Sequence, residues 1–336
     1  MEYRKSKLEG VVTLDWANRN VLVTGIEGFL GSWLSKALVE EKANVIGLTR
    51  DDIARSNFAL LNLGKDITLI RACLTDYLSL ERTLNEYEVE VVFHLAAQTV
   101  VGTANRAPLS TFESNVRGTC NLLEAARRMP LVKSILVASS DKAYGEHLSL
   151  PYREDFPLQG RNLYDVSKSC ADLISQAYAH AYSLPIVISR CGNIYGGGDL
   201  NFSRIVPGTI RALLFGENPI IRSDGSPVRD YVYVKDVVEA CLKMASMAGE
   251  PSMKGQAFNL GTGKPISVKE IAEKIIEIHG GNYKLEVRGK GVPPGEIAKQ
   301  YLSSEKAART FGWQVKTSLD EGLRVTVAWY KTYFSK

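Results

Sequence analysis

The sequence predicts an α/β fold in which a doubly wound parallel sheet carries a second, smaller α/β lobe. Two observations lead there. Short runs rich in β-branched residues alternate with amphipathic segments through the first half of the chain, the pattern of parallel strands joined by crossover helices. The first of these runs ends in a glycine-punctuated turn, Thr24-Gly25-Ile26-Glu27-Gly28-Phe29-Leu30-Gly31, which opens the segment after it. A chain of 336 residues, 45% of them hydrophobic, is long enough to bury one large core together with a smaller lobe.

The elements follow in order. Strands are expected at Asn20–Thr24, Asn44–Leu48, Ile67–Ala72, Glu90–Leu95, Lys133–Ala138 and Pro185–Ser189, and helices at Phe29–Glu40, Leu78–Tyr87, Phe112–Arg128 and Tyr164–Ser183. A polar lead-in precedes the first strand. Past Asn193 the alternation loosens. A glycine-rich loop gives way to helices near Val206–Phe215, Lys235–Ala248 and Ser267–Ile278, a strand near Tyr231–Val234, and two short helices at the end. The expected division places residues 1–192 in the sheet domain, with a returning segment at about 229–262, and residues 193–228 and 263–336 in the smaller lobe.

Composition narrows the function classes. The formal charge is +4 and lysines and arginines are scattered, so neither nucleic acid nor an anionic membrane is an expected partner. Five cysteines lie far apart in apolar or small-residue surroundings with no C-x-x-C pair, which reads as buried thiols in a reducing compartment. Four histidines show no ligand spacing, so no metal is expected. The N-terminus lacks a signal-peptide core, and no stretch approaches the roughly 18 apolar residues of a membrane span. The expected location is the cytoplasm.

The glycine turn is the first site signal. A strand that delivers the chain to a side-chain-free turn, followed by helix N–H groups, is a seat for a pyrophosphate. This context carries the dinucleotide reading, because the spacing G-x-x-G-x-x-G is not the commonest G-x-G-x-x-G fingerprint. A purely structural turn is the plainer alternative. At the end of the second strand an acid suits the NAD ribose and an arginine the NADP phosphate. The chain reads Leu48-Thr49-Arg50-Asp51-Asp52 there, which leaves both cofactors open.

Tyr164-Asp-Val-Ser-Lys168 sets a phenol and an ammonium one helical turn apart. A nearby cation favours phenolate, so the pair suits proton removal from a hydroxyl as hydride leaves its carbon. The same spacing recurs at Tyr3/Lys7 and Tyr231/Lys235, but in a polar lead-in and across a strand, and both are read as accidental. Tyr164 instead opens a helix that follows a strand ending in Ser139-Ser140-Asp141-Lys142, and parallel sheets place chemistry at such carboxyl ends.

With His94-Leu-Ala-Ala-Gln98, Asn115-Val-Arg-Gly-Thr119, Arg190-Cys-Gly-Asn193 and Arg229-Asp230-Tyr231-Val232 added, the chain resembles the extended short-chain dehydrogenase/reductases over nearly its whole length. The resemblance implies a Rossmann-type sheet domain and a substrate-binding smaller lobe. It implies that Gly25, Glu27, Gly28, Phe29, Leu30, Gly31, Arg50, Leu74, Leu95, Ala96 and Ala97, with Tyr164 and Lys168, face a tightly bound and recycled NAD(P). Cys73 stands where the family has an adenine-contacting aspartate. Gln98, Asn193, Arg204 and Arg229 would hold a nucleotide-sugar, a guanidinium suiting its diphosphate.

Within that family Ser140-Asp141-Lys142 is the informative triplet. Epimerases carry small residues after the serine and dTDP-glucose dehydratases carry Asp-Glu, whereas the Asp-Lys here is similar to CDP-glucose 4,6-dehydratases. The implied reaction removes the O4′ proton through Tyr164, with Ser140 and Lys168 in support, takes the C5′ proton with Lys142, and expels the C6′ hydroxyl with Asp141 as acid. A nucleotide-sugar 4-epimerase or reductase using only the tyrosine step is the alternative, and a non-catalytic cofactor-bound sensor a distant third. The resemblance also implies a homodimer formed through the helices at Phe112–Arg128 and Tyr164–Ser183.

Overall fold

The computed structural model describes residues 6–8, 11–51, 53, 56–292 and 295–335. Seven strands form the central sheet: β1 (Asn20–Thr24), β2 (Asn44–Thr49), β3 (Ile67–Arg71), β4 (Val91–His94), β5 (Ser134–Ala138), β6 (Ile186–Cys191) and β7 (Gln256–Leu260). All are parallel and lie in the order β7-β6-β5-β4-β1-β2-β3. The order therefore reverses between β1 and β4, where an open parallel sheet leaves a crevice at its carboxyl edge.

Alternation along each strand builds two cores, as the pleat requires. Val21 and Val23 of β1, Phe93 of β4 and Leu136 of β5 face one side, against Leu34 and Leu38 of α1 (Phe29–Glu40). Leu22, Val92 and Ile135 face the other, against Leu80 and Leu84 of α2 (Tyr77–Glu86) and Leu122 and Leu123 of α3 (Gly118–Arg127). α4 (Leu163–Tyr182) lies beside α3 on this second face and contributes Ala179 to that core.

Beyond β6 the chain enters a third core. There α5 (Ile205–Leu214), α7 (Val268–His279) and α8 (Leu319–Phe334) pack around Tyr195, Tyr231 and Tyr233. Between α5 and α7, α6 (Val234–Met247) returns to the sheet, where Val237, Cys241 and Met244 join the first core. A capping box at Ser267 and Glu270 fixes the start of α7. The two-way link between sheet and lobe is the parallel pairing of Asn193–Tyr195 with Tyr231–Tyr233.

The structure departs from the sequence expectation at five points, the first being the last helix, expected short but running 16 residues over Leu319–Phe334. β7 was not foreseen, because Gln256 and Asn259 break its apolar run; Asn259 is fully buried and spent on hydrogen bonds. The helix expected over Phe112–Arg128 contains a π turn at Glu113–Arg117, a feature that single-helix periodicity does not reveal and that often marks functional sites. The polar lead-in carries an antiparallel strand pair, Ser6–Leu8 with Val11–Thr13. All five cysteines are free, but only Cys191 and Cys241 are buried; Cys73, Cys120 and Cys170 are partly exposed. Tyr3 and Asp52 lie outside the described residues. Among the described residues no helix is long and apolar enough to cross a membrane, and no cluster of His, Cys, Asp or Glu is arranged for a metal.

Candidate active site

One cavity of about 1120 Å3 opens over the carboxyl edge of the sheet, and every residue nominated above lines it. The Gly25–Gly31 turn, Arg50, Leu74 and Leu95–Ala97 lie in its wall with Ser140, Asp141, Lys142, Tyr164 and Lys168, and the chain beyond β6 adds Asn193, Arg204 and Arg229. It is the arrangement rather than any single motif that brings them together.

The turn leaves no room for side chains. Gly25 has φ +70°, and a Cβ there would sit 2.8 Å from the Ala96 backbone; one on Gly31 would run into the Gly25 carbonyl. The loops after β1 and β4 are thus pressed together. Behind them Thr24, His94 and Thr119 form a buried chain: Ala96 N–H donates to Thr24 Oγ1 (3.2 Å), which lies 2.9 Å from His94 Nδ1, while His94 Nε2 lies 3.0 Å from Thr119 Oγ1. Thr119 spends its own proton on the Asn115 carbonyl, so the ring is neutral with its proton on Nε2. Burial, with Lys168 nearby, holds its pKa down at about 3. His94 is a structural link between strand and helix.

Asn115, presented by the π turn, closes the loop that follows β4. Its Oδ1 accepts from Gln98 N (2.7 Å), and its Nδ2 donates to the Gln98 carbonyl (3.1 Å) and to Ser167 Oγ of α4 (2.9 Å). The Gln98 side chain accepts from Val100 N at 3.1 Å, so in this structure it shapes its own loop. At the end of β2 the Glu27 carboxylate accepts from Thr49 Oγ1, and Arg50 is exposed and paired to Asp51 at 2.7 Å.

The middle of the cavity holds the titratable groups. Ser140, two residues past β5, caps a short 3-10 helix, Asp141–Tyr144, accepting from Lys142 N (3.2 Å) and donating to Asp141 Oδ1 (3.1 Å). The other oxygen of Asp141 is buried without a hydrogen-bond partner. Burial raises this carboxyl to about 6 against the pull of Lys142 and Ser140. Burial, then Arg229, pushes the Lys142 ammonium below its ordinary value. Asp141 thus holds its proton more tightly, and Lys142 less tightly, than either would in water.

Tyr164 behaves differently from what its spacing suggests. Burial raises its phenol to about 12, opposed by a hydrogen bond with Ser140 and the charge of Arg204. Lys168 Nζ donates to the Ala138 carbonyl at 2.8 Å, and burial lowers it to about 8. In the lobe Arg204 pairs with Asp199 (3.0 Å). Arg229, buried, donates to the Val228 carbonyl and faces Glu296 at 3.5 Å. Glu296, Ser114, Phe202 and Arg222 also line the cavity. Glu296, Phe202 and Arg222 sit in segments without periodicity or motif, and Ser114, beside the Asn115 motif, was not singled out.

This layout is that of the extended short-chain dehydrogenase/reductases. Within that class the chain belongs to the family described as GDP-mannose 4,6 dehydratase, whose model matches residues 22–326, and is an enzyme of the NAD-dependent nucleotide-sugar 4,6-dehydratase and epimerase kind. It is 29% identical to the CDP-glucose 4,6-dehydratase of Salmonella typhimurium over 95% of this chain and 92% of that protein. It superposes with a TM-score of 0.85 on the UDP-glucose 4-epimerase of Thermotoga maritima solved with UDP-glucose, at 31% identity over 94% of this chain and 99% of the other. The dTDP-glucose 4,6-dehydratase of Streptomyces venezuelae, solved with NAD bound, gives a TM-score of 0.84 at 27% identity over 94% and 98%.

Proposed function

We propose that this enzyme is a 4,6-dehydratase that converts an NDP-hexose, CDP-glucose first, to its 4-keto-6-deoxy product. The observation that carries the reading is the Asp141–Lys142 pair in the cavity wall beside Tyr164, a carboxyl shifted up and an ammonium shifted down. An epimerase has no use for that pair; an elimination needs both members.

The cofactor seat is the Gly25–Gly31 turn. A Cβ at Gly25 or Gly31 would fill it, and the N-terminus of α1 behind it suits a pyrophosphate. Glu27 and Asp51, with Arg50 tied to Asp51, make the ribose end acidic and favour NAD over NADP. When bound, the nicotinamide supplies the hydride acceptor for C4′ and the hydride donor for C6′.

The chain's own residues handle the protons. Tyr164, bonded to Ser140, takes the O4′ proton, and Lys168 lends positive charge behind it. With C4′ a ketone, the C5′ hydrogen is acidic and Lys142 removes it. Asp141 gives its proton to the departing C6′ hydroxyl. Gln98, Asn193, Arg204 and Arg229 orient the nucleotide-sugar, the two arginines facing its diphosphate. Residues 193–228 and 263–336 serve as the substrate lobe over the dinucleotide-binding sheet domain. The chain works as a cytoplasmic homodimer; Leu173, Ala177 and Ala181 form an exposed stripe on α4 at the i, i+4, i+8 spacing of a helix-pairing face, and light scattering should give twice the chain mass.

The test is to incubate the purified enzyme with CDP-, dTDP-, UDP- and GDP-hexoses and weigh the products. Loss of one water from one substrate is expected; an isobaric product would favour the 4-epimerase reading, which the similarity to epimerases keeps in second place.

A further inference from the structure

The turn that presents Asp141 and Lys142 is held from behind by a buried polar cluster that lies outside the cavity lining. Tyr144, the last residue of that short helix, is fully buried. Its hydroxyl donates to Asn259 Oδ1 of β7 (2.7 Å) and accepts from Arg190 Nη1 of β6 (2.8 Å). Arg190 is locked in turn by two parallel bonds to Asp172 of α4 (2.8 and 3.0 Å), and its guanidinium lies over the Tyr144 ring, 4.9 Å from the centroid. From the same helix Ser169 Oγ donates to the Ala143 carbonyl (2.8 Å). Tyr152 packs on Tyr144, 5.0 Å between centroids, and donates to the Gly145 carbonyl (2.6 Å).

We infer that the Tyr144–Arg190–Asp172 cluster, with Ser169, is a positioning network that sets Asp141 and Lys142 for the elimination step. The assignment rests on the dehydratase reading above. The arrangement separates the two half-reactions physically. Tyr164 is fixed by the first turn of α4, and Ser140 by the sheet, through the bond of its neighbour Ser139 N to the Ser189 carbonyl (2.8 Å). Neither depends on the Tyr144 hydroxyl. Asp141 and Lys142 stand on the one turn between Ser140 and Tyr144, so a loosened Tyr144 end moves the acid and base and leaves the oxidising groups in place. A proton transfer that requires two groups at fixed distances from C5′ and C6′ is sensitive to such a displacement.

Arg190 and Asp172 are a buried ion pair whose disruption threatens the fold, so the test uses Tyr144→Phe, which deletes one hydroxyl, and Ser169→Ala, which deletes another from the α4 side. The holoenzyme is given the nucleotide-sugar it accepts. Three rates are read: C4′ oxidation in a single turnover by nicotinamide absorbance, C5′ solvent exchange in D2O, and water loss by mass. For Tyr144→Phe, exchange and water loss should fall about tenfold or more while oxidation stays within about twofold. Ser169→Ala should shift the partition the same way by a smaller factor, and carries the test alone if the phenylalanine variant does not fold. The pH dependence of water loss should change shape in both, which a merely structural loss would not produce. Oxidation, exchange and water loss falling together, or none of them changing, overturns the inference. If the wild type yields only an isobaric product, the dehydratase reading fails and takes this one with it; a dehydrated product with equal losses removes this inference alone.

Discussion

In the proposed elimination, Asp141 and Lys142 act in opposite protonation states from those they would hold in water. The active form is a protonated acid beside a neutral amine, and it has the same proton count as the ordinary ion pair. Burial favours the neutral form of each group, so the cavity tilts that internal exchange towards the useful tautomer. Elimination should therefore follow a bell-shaped pH profile that belongs to the pair. The rate rises as pH climbs through about 6, where the first proton leaves, and falls again as the pair loses its second. Asp141→Asn should lower water loss by roughly 10²–10⁴-fold and flatten the acid limb, measured by mass across pH. Lys142→Ala should abolish C5′ exchange while C4′ oxidation persists; exchange at the wild-type rate would reassign the base. The identity of these residues was legible in the chain because they adjoin a strand end. Their proton affinities were not. The i, i+4 spacing of Tyr164 and Lys168 suggested a lowered phenol, whereas burial, a property of the whole packing, raises it.

At the scale of elements, β1 to β6 and the four flanking helices were readable because hydrophobic periods of 2 and 3.6 are local signals. β7 was not, since its polar residues are buried for hydrogen bonding. The π turn escaped for a related reason: Asn115 is fixed by partners on the β4 loop and on α4, not by the pattern around it. The glycine turn is where element and site coincide. Gly25→Ala forces a left-handed φ on a residue with a Cβ and drives that Cβ against Ala96. A loss of about 1–3 kcal/mol in stability is expected, read by denaturant unfolding, together with weakened NAD affinity read by calorimetry.

For the whole molecule, the cavity is shared between a rigid sheet edge and a lobe assembled from separated stretches of chain. A ligand that spans both should stabilise the folded state as a unit. At about a hundred times its dissociation constant NAD contributes roughly 2.7 kcal/mol, a rise of several degrees in thermal unfolding. NADP at equal concentration should give a smaller shift, because its extra phosphate would meet Glu27 and Asp51 while Arg50 is already engaged. An equal or larger shift with NADP would reverse the cofactor preference. The lobe was the least legible part of the sequence because its core is gathered from separated stretches of chain, so no single alternating run marks it.

The unpartnered oxygen of Asp141 also sets a cost on the fold itself. The folded chain holds a proton up to about pH 6 that the unfolded chain releases near 3.8. Folding thus takes up a proton in that window, and stability falls as pH rises through it, by an amount on the order of 3 kcal/mol for a shift of about two units. Above pH 6 the enzyme carries the whole penalty. Asp141→Asn, which cannot ionise, should melt at a higher temperature than the wild type at pH 7.5 and lose that advantage near pH 4. A variant that is sturdier and inert would mark this carboxyl as a place where selection has kept chemistry at the expense of durability.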